Sequence, residues 1–124
     1  MLRKRLLSFV YAFRGIKKAL RSEPNLRIHA IATLAVTIAG ISFHIPQWAW
    51  VAQTLAVGLV WSAELFNTVW EKFLDFTHPE HSAKIGELKD IAAGAVLVAA
   101  IAAFAVGLII YSPYVWELFM PSNT

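Results

Sequence analysis

The sequence has no cysteine, which excludes a disulfide framework, a thiolate nucleophile and a cysteine metal site. Charge is scarce too: Asp, Glu, Lys and Arg make up 15% of the 124 residues, against roughly 25% in a soluble globular domain. With 58% hydrophobic residues, too little polar side chain remains to cover a water-facing surface. Two stretches, Ala30 to Ala63 and Ile91 to Trp116, hold none of these four charged residues. Each exceeds the ~20 apolar residues that cross a bilayer core. Internal repeats, low-complexity segments and a glycine-rich phosphate loop of Walker type are also missing. The length allows one domain, and a chain lying mostly in lipid has little left for a separate soluble module. A site needing several polar walls then calls for a partner subunit.

The pattern predicts an all-α integral membrane protein. Three transmembrane helices and an N-terminal amphipathic surface helix form a single domain over 1–124. The first uncharged run is too long for one span, and Pro46 within His44-Ile45-Pro46-Gln47-Trp48 disfavours helix at the residue before it. Splitting there gives spans over about 26–43 and 47–75; the third covers about 90–111 and ends at Ser112-Pro113. Trp48, Trp50, Tyr111, Tyr114 and Trp116 gather at the outer ends, as interfacial aromatics do. Over 1–22, Leu6, Phe9, Val10, Phe13, Ile16 and Leu20 recur at helical spacing, with Arg14, Lys17, Lys18 and Arg21 largely on other faces. Such a helix lies in the headgroup layer. A cleaved signal peptide is the competing reading, but the segment has no long apolar core and its basic residues are spread throughout.

The net charge of +3 would suit nucleic acid, yet its distribution points to anionic lipid headgroups and away from nucleic acid. Eight of the eleven basic residues precede the first span: Arg3, Lys4, Arg5, Arg14, Lys17, Lys18, Arg21 and Arg27. Lys72, Lys84 and Lys89 flank or occupy the loop between spans two and three. The positive-inside rule puts the N-terminus and the 76–89 loop in the cytoplasm, with Pro46 and Thr124 outside.

An ionisable residue within a membrane is costly and marks a functional site by default. Glu64, Asn67, Glu71 and Asp75 fall on one face of the second span, a polar stripe rising ~16 Å from the hydrocarbon to the cytoplasmic surface. Glu23 just before the first span, and Lys89 and Asp90 opening the third, stand at the same level. A structural reading competes: Glu64 and Asn67 as hydrogen-bonding glue between helices, Glu71 and Asp75 as solvated residues at a helix end. His78 and His81 have the spacing of one helical face, but Pro79 between them spoils the helix and leaves them as solvated loop residues. His29 and His44 read as interfacial or headgroup contacts.

Two motifs now carry a resemblance. The segment Glu64-x-x-Asn67-Thr68-x-x-Glu71-x-x-x-Asp75, followed by Lys89-Asp90-Ile-Ala-Ala-Gly94-Ala-Val, resembles the prokaryotic diacylglycerol kinase family, over about 8–110. Ser8-Phe-Val-Tyr11-Ala-Phe-Arg-Gly15 and Glu23-x-Asn25-x-x-x-His29 are similar to the Gram-positive-type branch, which phosphorylates undecaprenol. The resemblance implies a homotrimer with shared active sites in the bacterial cell membrane, ATP with Mg²⁺, and a lipid alcohol acceptor. Undecaprenol is favoured, with diacylglycerol next. It further implies Glu64 as the catalytic base with Asn67 as its polar partner, and Glu23 and Glu71 as carboxylates holding the nucleotide's divalent ions. Lys89, Asp90 and Glu80 match nucleotide-contacting positions, and Tyr11 aligns with an aromatic near the nucleotide. Where the family commonly has Tyr-His after the loop glutamate, this chain has His81-Ser82, so His81 takes a nucleotide-binding position.

Independently of the resemblance, phosphoryl transfer needs positioning, neutralised phosphate charge and a proton acceptor. Glu64, deepest in the stripe, can reach a hydroxyl at the lipid interface, while Glu23 and Glu71 offer the hard oxygens that Mg²⁺ prefers. The rival from another class is a non-enzymatic membrane oligomer that conducts ions or relays protons along the same stripe. A channel needs a polar path through both leaflets, and this stripe stops halfway.

Overall fold

The computed structural model describes residues 1–121. They form four helices: α1 (Leu2–Ser22), α2 (Pro24–Ser42), α3 (Gln47–Thr77) and α4 (Ala83–Phe119). The last three are long and apolar enough to cross a membrane. Thr124, expected outside, lies beyond the described residues.

Each break in the helical path has a local cause. Pro24 occupies the first turn of α2, where its missing N–H costs nothing, and it drives Glu23 into an extended conformation (φ −109°, ψ 110°). That single residue separates α1 from α2. At the other end of α2 the chain reverses through a Schellman turn. His44 adopts φ 52°, its N–H bonds to the Ile41 carbonyl, and the Ile45 N–H bonds to the Gly40 carbonyl. Pro46 then starts α3 at Gln47. Ser82 caps α4, its hydroxyl accepting the Ile85 N–H at 3.3 Å, so α4 begins at Ala83, well before the apolar run.

The expected stop at Ser112-Pro113 does not occur, because α4 continues through Pro113 to Phe119. A proline deletes one hydrogen bond without forbidding continuation, and the next turn is held by Tyr114, whose ring stacks at 5.2 Å on Phe43, the residue that ends α2 as its cap. The Tyr111 hydroxyl, one turn earlier, shares its single hydrogen between the Val36 carbonyl, 2.9 Å away, and Gln53 Oε1, while the Gln53 amide donates to the same carbonyl at 3.2 Å. These bonds tie α2, α3 and α4 together in the half of the bundle nearest the turn. Interhelical hydrogen bonds in a bilayer contribute about 0.6 kcal/mol each, so several must share the load.

Packing is closest between α3 and α4; α2 lies along α3, and α1 touches α2 and α3. Few large side chains are enclosed. Ile31, Leu34, Ile38, Leu55, Leu59, Ile101 and Phe104 point outward, as they do when hydrocarbon is the solvent. At the turn end, Ile45, Ala49 and Ile110 form a small core edged by Phe43 and Trp50.

Gly40 sits where this core is tightest. A Cβ there would lie 2.8 Å from Trp50 Cη2 and 3.0 Å from Ile45 Cδ1. Gly40→Ala is therefore expected to destabilise the α2–α3 hairpin by about 1–3 kcal/mol, read as a lower unfolding temperature in detergent. An unchanged midpoint would show that the indole yields freely.

Candidate active site

The polar stripe of α3 meets its partners at the end of the bundle opposite the turn. Glu64 is buried at 4% exposure and is the one buried acidic side chain among the described residues. His29 of α2 faces it, with Nε2 3.0 Å from Oε1. Two contacts bring the imidazole there. Leu26, one turn before His29, is fully enclosed. One turn after it, Thr33 donates its hydroxyl to the His29 carbonyl at 2.7 Å and accepts the Trp61 indole N–H at 2.9 Å. Trp61 precedes Glu64 by almost one turn of α3, so this chain of bonds fixes the register of α2 against α3 beside the carboxylate.

One turn toward the exposed end, the Asn67 amide N–H donates to Glu71 Oε1 at 3.3 Å. The other amide atom, Oδ1, is buried and has no hydrogen-bond partner among the described residues. Such an orphan acceptor costs about 1–3 kcal/mol unless something external satisfies it. Asn67 also lines a hollow of about 410 Å³ between α3 and α4, walled by Phe66, Trp70, Leu88 and Ile91.

Glu23 occupies the extended link created by Pro24. Its Oε1 accepts the Ser22 hydroxyl at 3.0 Å and lies 3.5 Å from Lys72 Nζ, which also donates to Ser22 Oγ at 3.1 Å. Because Lys72 adjoins Glu71, these bonds place the α1–α2 link beside the outer part of the stripe. On the opposite flank Lys89 of α4 pairs with Asp75 of α3 at 2.5 Å. Both ion pairs are partly solvated, and each contributes about 0–1 kcal/mol.

The other sequence-designated residues are not drawn into this network. Tyr11 is exposed on α1, with the Arg14 guanidinium 5.5 Å from its ring centroid. Glu80 and His81 are exposed in the α3–α4 connection, and Asp90 is exposed on α4. Among the described residues no group of three or more His, Asp or Glu side chains could hold a metal ion alone. His29 is the residue whose role the sequence reading missed, since it stood there as an interfacial contact. Counting from Pro46 would have found it: His29 lies 17 residues before and Glu64 18 after, which makes them opposite partners in an antiparallel hairpin.

An apolar cleft of about 300 Å³ runs between α2, α3 and α4 from His29 and Trp61 to Gln53 and Tyr111, lined on its α4 side by Ala103 and Phe104. A histidine in contact with a buried carboxylate thus stands at one end of a hydrocarbon-lined groove. Further carboxylates and a lysine lie between it and water.

Comparison with known proteins identifies the family. Residues 10–111 match the model of the family described as prokaryotic diacylglycerol kinase. The chain is 39% identical to an undecaprenol kinase of Bacillus subtilis over 106 residues, covering 86% of each chain. It is also 40% identical over 103 residues to a diacylglycerol kinase of a Synechocystis species, covering 82% of this chain and 59% of that protein. The chain belongs to the prokaryotic diacylglycerol kinase family, and is a multi-pass membrane lipid kinase.

Proposed function

We propose that this kinase transfers the γ-phosphoryl group of ATP to the hydroxyl of a membrane lipid alcohol, undecaprenol in preference to diacylglycerol. The observation that carries the reading is the contact of the buried Glu64 with His29, which lines the head of the apolar cleft. A lipid's chain can lie in hydrocarbon there while its hydroxyl meets the carboxylate. The undecaprenol preference rests on the similarity to the Bacillus protein across most of both chains.

Glu64 takes the proton of the acceptor hydroxyl while that oxygen bonds to the γ-phosphorus and ADP departs. Asn67 steadies Glu71 through its amide N–H. Glu23 and Glu71 present carboxylate oxygens suited to Mg²⁺, which takes one or two carboxylates and fills its remaining positions with phosphate oxygen and water. For Mg²⁺ to bind there, the Lys72 ammonium, 3.5 Å from Glu23 Oε1, turns away from that carboxylate. Bound Mg²⁺ would supply neutralisation of the phosphate charge. Lys89 exchanges Asp75 for phosphate, and Tyr11, Glu80, His81 and Asp90 contribute nucleotide contacts from the exposed rim.

The site is shared within a homotrimer, with the N-terminus and the 76–89 loop in the cytoplasm of a bacterial inner membrane. Two features support a neighbouring copy: the orphan Oδ1 of Asn67, and the hollow that this residue lines between α3 and α4. The basic residues of α1 hold that helix against anionic headgroups.

With labelled ATP and each lipid in mixed micelles, label should pass to undecaprenol faster than to diacylglycerol. Glu64→Gln should transfer none while binding nucleotide nearly as before. Retained activity in that variant would remove Glu64 from the base role.

Glu23→Ala and Glu71→Ala are each expected to weaken Mg-ATP binding about tenfold or more, in keeping with the loss of one of two protein oxygen ligands. Nucleotide affinity measured against Mg²⁺ concentration checks this, and unchanged curves for both variants would refute the metal assignment.

Sharing is tested by dissociating and reassembling a mixture of inactive Glu23→Ala and Glu64→Gln proteins. Interfaces that receive both intact halves should regain activity. A mixture as silent as its parents, despite proven subunit exchange, would mean that each protomer carries its own complete site.

A further inference from the structure

We propose that His29 is the positioning residue for the Glu64 carboxylate: its imidazole N–H holds one oxygen so that the other stands ready to receive the acceptor's proton. This rests on Glu64 being the base.

The geometry demands a donor at this spot. The Glu64 side chain is 5% exposed, so water does little to solvate it, and an unpartnered carboxylate in such a place would be strongly disfavoured. His29 Nε2, 3.0 Å from Oε1, is the hydrogen-bond partner found for that carboxylate among the described residues. A glutamate has three rotatable side-chain bonds, and a single directional bond to Oε1 removes most of that freedom. Among the described residues Oε2 has no protein donor. A neutral imidazole carrying its proton on Nε2 supplies that bond without adding a charge.

The placement of the ring adds a second argument. His29 lines the apolar cleft, whereas Glu64 does not. A lipid lying in the cleft therefore meets the imidazole edge on its way to the carboxylate, and His29 sets the side from which the hydroxyl approaches. The ring has no need to accept or pass on a proton in this role. Its backbone is held by the Thr33 hydroxyl, itself tied to the Trp61 indole, so the donor is mounted on α2 as firmly as the carboxylate is on α3. Misplacing a reacting group by about 1 Å can cost on the order of 100-fold in rate.

A purely structural role as interhelical glue makes different forecasts, which a set of variants separates. His29→Leu removes the donor, and His29→Asn keeps a polar amide too short to reach. Both should lower kcat by about 10- to 100-fold, with KM for ATP and for the lipid within about twofold of the parent. His29→Gln, whose amide N–H reaches about as far as Nε2, should recover kcat to within about threefold. Unfolding temperatures of all three, taken in the same detergent, show whether the losses follow stability instead. Parental kcat in His29→Leu, a loss confined to KM, or a Gln variant as impaired as Leu despite an equal unfolding temperature would each overturn the proposal. Activity retained by Glu64→Gln alone would instead overturn the base assignment, so the two failures are told apart.

Discussion

Hydrocarbon offers no hydrogen-bond partner, and the burial of Glu64 is possible because His29 meets it from the neighbouring helix. Much else is arranged around that meeting. Leu26 fills the space one turn before His29, the Thr33–Trp61 bond sets the sliding register of α2 on α3, and the reversal at 43–46 fixes which residues come opposite one another. Nearer water the demand relaxes, and the network loosens from a tight pair at Glu64 to solvated ion pairs at Glu23 and Lys89. Polarity thus grades along a single helix face, in step with the availability of solvent.

The two ends of the bundle solve the same problem differently. Near the turn, Gln53, Tyr111 and the Val36 carbonyl satisfy one another, and that cluster consumes its own hydrogen-bonding capacity. At the other end, Asn67 keeps an acceptor unspent and Asp90 remains exposed.

Helix number and the α3 stripe were legible because they rest on strong signals: long uncharged runs, a proline at the hairpin and carboxylates recurring at helical spacing. Pro24, which the span over about 26–43 left out, starts α2 and accounts for Glu23 standing in an extended link. The far end of α4 was misread because a proline signal is local. Pro113 weakens one bond, and the sequence does not display the Tyr114–Phe43 stack that holds the next turn. The start of α4 was hidden by the polar stretch before Lys89, although Ser82 is an ordinary capping residue. His29 was passed over for a different reason. A histidine near a helix end has many uses, and its pairing depends on interhelical register, which hydropathy does not encode. The pairing of Asp75 with Lys89 likewise depends on how the α3–α4 connection folds back.

The length of α3 carries a last consequence. Its 31 residues extend ~46 Å, well beyond the ~30 Å of a typical hydrocarbon core, so the helix overhangs the bilayer or tilts within it. The carboxylates from Glu64 to Asp75 therefore form a ladder straddling the lipid boundary, and membrane thickness decides which rungs stand in water. In a thicker sheet the helix straightens and Glu71 sinks toward the acyl chains; in a thinner one it leans and Glu64 nears the headgroups. Hydrophobic mismatch thereby acts on the depth of the chemistry proposed for Glu64, making the lipid that surrounds this kinase a setting of that proposed site as well as the source of its substrate.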